Sequence, residues 1–228
     1  MIFSKKAAAF LLAVTVICGS LAPTARAEVK AIGGRANDDM KIALTFDDGP
    51  HPRITPKILD ILAEYGIKAT FFEVGENIEL YPDVSRRVVA EGHEIGNHTY
   101  THPHLAKTDY CSLLDEVSRC EKTITEITGV KPSLFRPPEG VIDGKVRKVA
   151  ENSGYSLIVW TVDTRDWAKT SADAIVKNVL GNINSGDIIL MHDYTSGNCH
   201  TIEALRRMIP ALRDMGYEFV TVGELLCA

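Results

Sequence analysis

The sequence predicts an α/β fold, a distorted, incomplete (β/α) barrel with about seven parallel strands. Apolar, strand-like runs alternate with helix-like segments along the chain, and seven such units fit one domain. An open doubly wound sheet shares that alternation. The barrel is favoured because reactive side chains follow directly after the runs, where parallel barrels gather their catalytic groups.

The first element lies outside the domain. Lys5 and Lys6 precede an apolar run over 7–18, and the segment closes with Ala25, Arg26 and Ala27. A charged start, a greasy middle and an A-x-A end make residues 1–27 a secretory signal peptide, cleaved after Ala27. The run is well short of the ~20 residues a membrane helix needs; an uncleaved N-terminal membrane anchor is the alternative. Cleavage removes three cations and no acid, deepening the net charge from −5 to −8. An acidic, exported protein has no electrostatic grip on nucleic acid, and nothing implies a stable protein partner beyond a monomer.

Residues 28–40, with Gly33, Gly34, Asn37 and two Asp, read as a polar linker, leaving 41–228 as the domain. Strands are expected at 41–46, 68–74, 93–97, 133–136, 155–160, 187–191 and 217–221. The first helix has Thr55 as its cap, Pro56 in its first turn and Gly66 at its stop. A longer helix over 108–129 turns Leu113, Val117, Cys120 and Ile124 inward, and others follow at 83–91, 144–152, 171–183 and 201–215. Pro210 inside the last predicts a kink or a late start. Cys111 and Cys120 sit about 13 Å apart along their helix, too far for a disulfide, whereas Cys199 with Cys227 stays open.

The strand ends carry the chemistry. Asp47 and Asp48 can face one site only where their strand breaks, which Gly49 and Pro50 favour. His98 and His102, four apart, suit one side of a helical turn, as metal ligands require; with Asp48 they make three ligands and leave positions open. His192 leaves an apolar strand as a candidate proton donor, and Arg136 before two prolines is a fixed cation that could keep Asp47 ionised. Structural alternatives are a bonded core histidine for His192 and a surface ion pair for Arg136. His51 and His104 read as loop residues near the site, His93 as strand-packed and His200 as surface. Trp160 belongs to the core, while Trp167 could stack on a sugar. No GxGxxG, Walker loop or GxSxG occurs, which argues against nucleotide and serine-hydrolase chemistry.

In order and spacing, Thr45-Phe46-Asp47-Asp48-Gly49-Pro50, His98-Thr99-Tyr100-Thr101-His102, Phe135-Arg136-Pro137-Pro138, Asp163-Thr164-Arg165-Asp166-Trp167 and Leu190-Met191-His192 resemble the five motifs of the polysaccharide deacetylases, carbohydrate esterase family four with its NodB-homology domain. The resemblance covers about 40–226. It implies a deformed (β/α) barrel that removes acetyl groups from peptidoglycan, chitin-type or xylan polymers with one divalent metal, zinc first, then cobalt, manganese or iron. It makes Asp47 the general base, Asp48, His98 and His102 the metal ligands, Arg136 the residue orienting the base, Asp163 the one tuning the acid, and His192 the general acid. Pro138, Glu139, Trp167 and Leu190 are implied in substrate binding, with the N–H after Pro138 facing the oxyanion and Leu190 the acetyl methyl. One position departs from the family pattern: Glu139 stands where an aromatic or small residue is usual. A glycan-binding module that has lost catalysis, or an O-acetyl xylan esterase, are the alternatives.

Overall fold

Residues 31–34, 39–194 and 200–227 are described by the structure, a computed structural model. The leader expected over 1–27, and Cys199 with its pairing to Cys227, lie outside the described residues. The strands are β1 (Ala31–Ile32), β2 (Lys41–Asp47), β3 (Thr70–Glu73), β4 (Glu94–Asn97), β5 (Leu134–Phe135), β6 (Ser156–Ile158), β7 (Val162–Asp163), β8 (Ile188–His192) and β9 (Glu218–Val220). The helices are α1 (Thr55–Glu64), α2 (Gly75–Leu80), α3 (Pro82–Ala90), α4 (Tyr110–Thr128), α5 (Gly144–Ser153), α6 (Ala172–Asn182), α7 (Thr201–Asp214) and α8 (Val222–Cys227).

The strands pair in the order β1-β6-β5-β4-β3-β2-β8-β7, with β9 against the start of β2, and every ladder is parallel. Only Val159 to Thr161 separate β6 from β7, so one stretch of chain pairs with β5 at its start and β8 at its end. This single crossing strand draws the sheet round into the distorted, incomplete barrel that the alternating pattern predicts.

Period-two alternation sorts the side chains of β2. Ile42, Leu44 and Phe46 point outward into a core shared with Ile58, Leu59, Ile61 and Leu62 of α1 and Leu205, Met208 and Leu212 of α7. Full burial of each such side chain contributes about 1.5–3 kcal/mol. Ala43 faces the barrel interior with Phe72, Ile158 and Ile188, and Val222 and Leu225 of α8 join them. Val222 N–H donates to Thr70 Oγ1 and Gly223 N–H to Glu94 Oε2, so α8 plugs the end where β3 and β4 begin. The opposite, carboxyl end is left for the site.

Several expectations need correction. Ala31–Ile32, read as linker, pairs with β6 because its backbone meets the open edge of that strand. Thr55 does not cap α1; Ile54 holds that position, and Thr55 Oγ1 donates instead to buried Asp193 at 2.5 Å. Pro210 does not delay α7, which runs unbroken from Thr201 to Asp214. The carbonyl that Pro210 cannot serve, that of Arg206, accepts from the Tyr65 hydroxyl at 3.2 Å.

Candidate metal centre and active site

Inner-face alternation brings the reactive groups to one mouth. Asp47 ends β2 on the inward side, and His192 ends β8 as its cross-strand neighbour. Asp163 ends β7 opposite Leu190. These four, with Asp48, His98, His102, Glu139, Trp160 and Trp167, line one cavity of about 500 Å³.

Asp48 reaches the same cavity as Asp47 because the strand stops there and the chain turns left-handed, with φ 75° at Asp48. Three contacts hold that turn. Asn77 Nδ2 donates to Asp48 O at 2.8 Å, Val74 N–H donates to Gly49 O at 2.8 Å, and the Asp193 carboxylate lies under Gly49. A Cβ at Gly49 would come within 2.3 Å of Asp193 Oδ2, so glycine is required there.

The histidine loop is not the helical turn that the four-residue spacing suggests. Its backbone N–H groups are taken by side chains: Thr99 N–H donates to Asn97 Oδ1, and Tyr100 and Thr101 N–H donate to Glu116 Oε2 at 2.9 and 2.7 Å. Thr99 and His102 adopt φ of 69° and 55°, and this irregular path brings both imidazoles to Asp48. His98 Nε2 and His102 Nε2 each lie 3.3 Å from Asp48 Oδ1. Ligands at zinc's ~2.0–2.1 Å, tetrahedrally disposed, stand about 3.3–3.4 Å apart, so the donor spacing fits a divalent cation. His98 Nδ1 lies 2.7 Å from Arg136 O, which makes it the N–H donor and leaves Nε2 with a free lone pair for the ion.

Electrostatics reinforce the fit. Burial works to raise the Asp48 carboxyl, but the hydrogen bond and charge of His98, with His192 and His102, hold it below the usual range. Burial works to lower His98, but Asp47 and Asp48 draw it up. The field that attracts a proton to His98 would attract a cation in its place. Burial, with the charge of His98, lowers His102.

Arg136 is fully buried, so it is no surface ion pair. Its Nη1 donates to Asp47 Oδ1 at 2.6 Å and to Thr45 Oγ1 at 2.7 Å, and its guanidinium lies 4.1 Å over the Phe72 ring. Burial lowers Arg136 from its ordinary range, against the pull of Asp47. Asp47 Oδ2 remains 3.8 Å from His98 Nε2, beside the Asp48, His98 and His102 cluster.

Around His192 the structure departs from the expected partner in one residue. Asp166, not Asp163, holds His192: Nδ1 donates to Asp166 Oδ1 at 2.7 Å, and His192 N–H to Asp166 Oδ2 at 2.9 Å. Thr201 Oγ1 completes the carboxylate at 2.7 Å. A left-handed Arg165, φ 56°, folds the chain back so that Asp166 turns inward, while Asp163 Oδ1 only accepts from Arg165 N–H. Burial would lower His192, but the hydrogen bond and charge of Asp166, with Asp47 and Asp48, push it up to about 9.

At the cavity edge Glu139 adopts φ 58°, and its Oε1 lies 2.9 Å from Nδ1 of His104, turned toward that exposed ring. Pro138 and Leu190 are buried beside it, Trp160 is half-buried, and Trp167 is 55% exposed. His93 packs its ring against Phe71, His51 caps the Arg53 and Ile54 N–H groups, and His200 sits half-buried at the start of α7. Asn77, Glu116 and Asp166 were not anticipated. Glu116, beside Val117 on the inward stripe of α4, was the most visible of them.

The family model for polysaccharide deacetylases matches residues 34–158. A peptidoglycan-N-acetylglucosamine deacetylase of Bacillus cereus is 43% identical over 186 residues, spanning 81% of this chain and 68% of that protein. A chitooligosaccharide deacetylase of a Bradyrhizobium species is 37% identical over 204 residues, spanning 84% and 93%. Among solved structures, the Bc1960 peptidoglycan N-acetylglucosamine deacetylase superposes with a TM-score of 0.83 at 40% identity, covering 87% of this chain and 92% of that one.

Proposed function

The chain belongs to the polysaccharide deacetylase family, and from that premise we propose that it is a metal-dependent hydrolase of N-acetyl groups on N-acetylglucosamine-containing polysaccharide, peptidoglycan or a chitin-type oligomer. One observation carries this reading: a buried Asp47–Arg136 pair and a His192–Asp166 pair open into the same cavity as the Asp48, His98 and His102 cluster. A base, an acid and a cation site within one cavity are what amide hydrolysis requires.

A divalent cation held by Asp48, His98 and His102 would polarise the acetyl carbonyl and acidify a water. Zinc suits two imidazoles and one carboxylate best, with cobalt, manganese or iron as alternatives. Asp47 takes the proton of the attacking water through Oδ2, because Arg136 already engages Oδ1. The Glu139 backbone N–H donates to the developing oxyanion, and Leu190 walls the acetyl methyl. With Nδ1 given to Asp166, His192 offers Nε2, protonated at neutral pH, to the departing amine. Trp167 supplies an exposed face for a sugar ring. The leader over 1–27 supports export, with mass spectrometry of the released form locating the cleavage.

The test is acetate release from peptidoglycan, chitin oligomers and acetylated xylan, with and without chelator, followed by zinc restoration. Release from the first two, abolished by chelation and restored by zinc, is the expected result. Chelator-resistant release or release from xylan alone would overturn the reading.

A further inference from the structure

A short segment ahead of β2 closes a gap in the barrel wall. Ala31 and Ile32 pair in parallel with Leu157 and Ile158 of β6, and Gly34 forms an antiparallel bridge to Asp187, where β8 begins. Residues 31–34 therefore cross the seam between β6 and β8. The glycines let the segment lie close: a Cβ at Gly33 would come within 3.2 Å of Trp160 O, and one at Gly34 within 2.6 Å of Gly186 O. Ile32 joins the core that contains Ile158, Ile188 and Trp160.

This segment holds the support of the general base. Val159 N–H donates to Ile32 O at 2.8 Å, and the carbonyl of the same residue accepts from Arg136 Nη2 at 3.1 Å. The ring of the next residue, Trp160, stands 5.7 Å from the guanidinium, which also lies over Phe72. Arg136 Nη1 in turn donates to Asp47 Oδ1 at 2.6 Å. Hydrogen bonds thus run in series from Ile32 through Val159 and Arg136 to Asp47. Val159 and Trp160 lie between β6 and β7 and belong to neither strand, so the Ile32 contact substitutes for a ladder there. Arg136 is fully buried, and a displaced Val159 carbonyl would leave one of its N–H groups short of a partner. Among the described residues, none of the contacts that hold the cation ligands or His192 involves residues 31–34.

We propose that residues 31–34 are a positioning strap for the general base, fixing Val159 and Trp160 so that Arg136 keeps Asp47 aligned with the cation site. The inference rests on the deacetylase reading and gives a part in turnover to a segment outside the recognised motifs. Loosening the strap bears on the base and leaves the metal in place.

The test uses the whole enzyme with Gly34→Val, whose side chain meets Gly186 O, with Ile32→Ala, and with Ile32→Val as the conservative control. Acetate release from chitin oligomers, zinc content and hydrogen exchange of the Val159 amide are read for each. Gly34→Val should lose about 10- to 100-fold in kcat, the scale of a misplaced reacting group, with KM and zinc content unchanged and the Val159 amide exchanging faster. Ile32→Ala should move the same way by a smaller factor, and Ile32→Val should match wild type. In an Asp47→Asn background Gly34→Val should cost nothing more, because the group it aligns is already gone. The same loss repeated in that background, loss of zinc, or unchanged kcat with a fast Val159 amide overturns the strap while leaving the hydrolase reading intact. If Gly34→Val does not fold, Ile32→Ala is judged by the same criteria. Wild-type enzyme that releases no acetate overturns both.

Discussion

The two halves of the site are held in place by different means. On the ligand side, position is set by backbone: Asp48, Thr99 and His102 all have left-handed φ, secured by Asn77, Val74, Asn97 and Glu116. On the acid side, His192 is still within a regular strand, and its ring is set by one carboxylate that arrives from the Asp166 turn. Left-handed non-glycine residues cost free energy and persist only where neighbours over-determine them. The ligand half is thus a braced loop cluster, while the acid half is a strand end plus one carboxylate, delivered by the left-handed Arg165 and shared with Thr201. Damage to the first should abolish metal binding, and damage to the second should retune a proton.

The largest effects test that separation. His98→Ala should lose the metal and at least about 10³-fold in kcat/KM, whereas His192→Ala should keep the metal while losing about 10²–10⁴-fold in kcat. Metal content by elemental analysis checks both; loss of metal from His192→Ala would join the halves.

Next comes the choice between two aspartates. Asp166→Asn should remove the main influence that raises His192. The protonated acid, retained up to about pH 9 in the parent, should then be lost as pH rises through the ordinary histidine range. The basic limb of the pH–rate profile should move down accordingly, with a loss of about 10- to 100-fold at pH 8. Asp163→Asn should leave that limb in place, and an identical shift in both variants would remove the distinction drawn between them.

Asn77→Ala sharpens the ligand side. Freeing the Asp48 carbonyl should weaken metal affinity about tenfold with the pH profile unmoved, measured by competition with a chelating dye. Smaller still is the Glu139 and His104 pair at the cavity edge, whose exposed contact is worth no more than about 1 kcal/mol. His104→Ala should release the carboxylate toward the oxyanion position and slow turnover up to about fivefold. The double variant His104→Ala/Glu139→Ala should recover. Additive losses would show that His104 acts otherwise.

The smallest effect concerns the floor of the ligand half. Glu73 is fully buried, with Ser85 Oγ donating to Oε2 and no partner for Oε1 among the described residues, and burial pushes it up to about 8. The folded chain therefore holds a proton that the unfolded chain releases above about pH 4.5, so stability falls as pH rises from there to about 8. Glu73→Gln should raise the melting temperature by about 2–4 °C at pH 8 and by little at pH 4.

Legibility follows the same division. Asp47, Asp48, His98, His102 and His192 sit at strand ends or within a few residues of one another, where spacing speaks directly. Asp166 was hidden because a stretch with two aspartates does not say which one the turn sends inward; that depended on the left-handed Arg165. The continuity of α7 through Pro210 was likewise invisible, since Tyr65, from a helix far back in the chain, supplies the missing donor.

Local chemistry by itself determined the alternation of strands and helices, the inward and outward faces of β2 and β8, and the set of side chains reaching the carboxyl end. Those depend on periodicities of a few residues, which the order of amino acids records. Tertiary structure alone decided which carboxylate meets His192, which side chains brace the left-handed ligands, and that residues 31–34 close the seam between β6 and β8. Such contacts join residues that are tens of positions apart, and their partners are selected by packing of the whole barrel rather than by any local spacing.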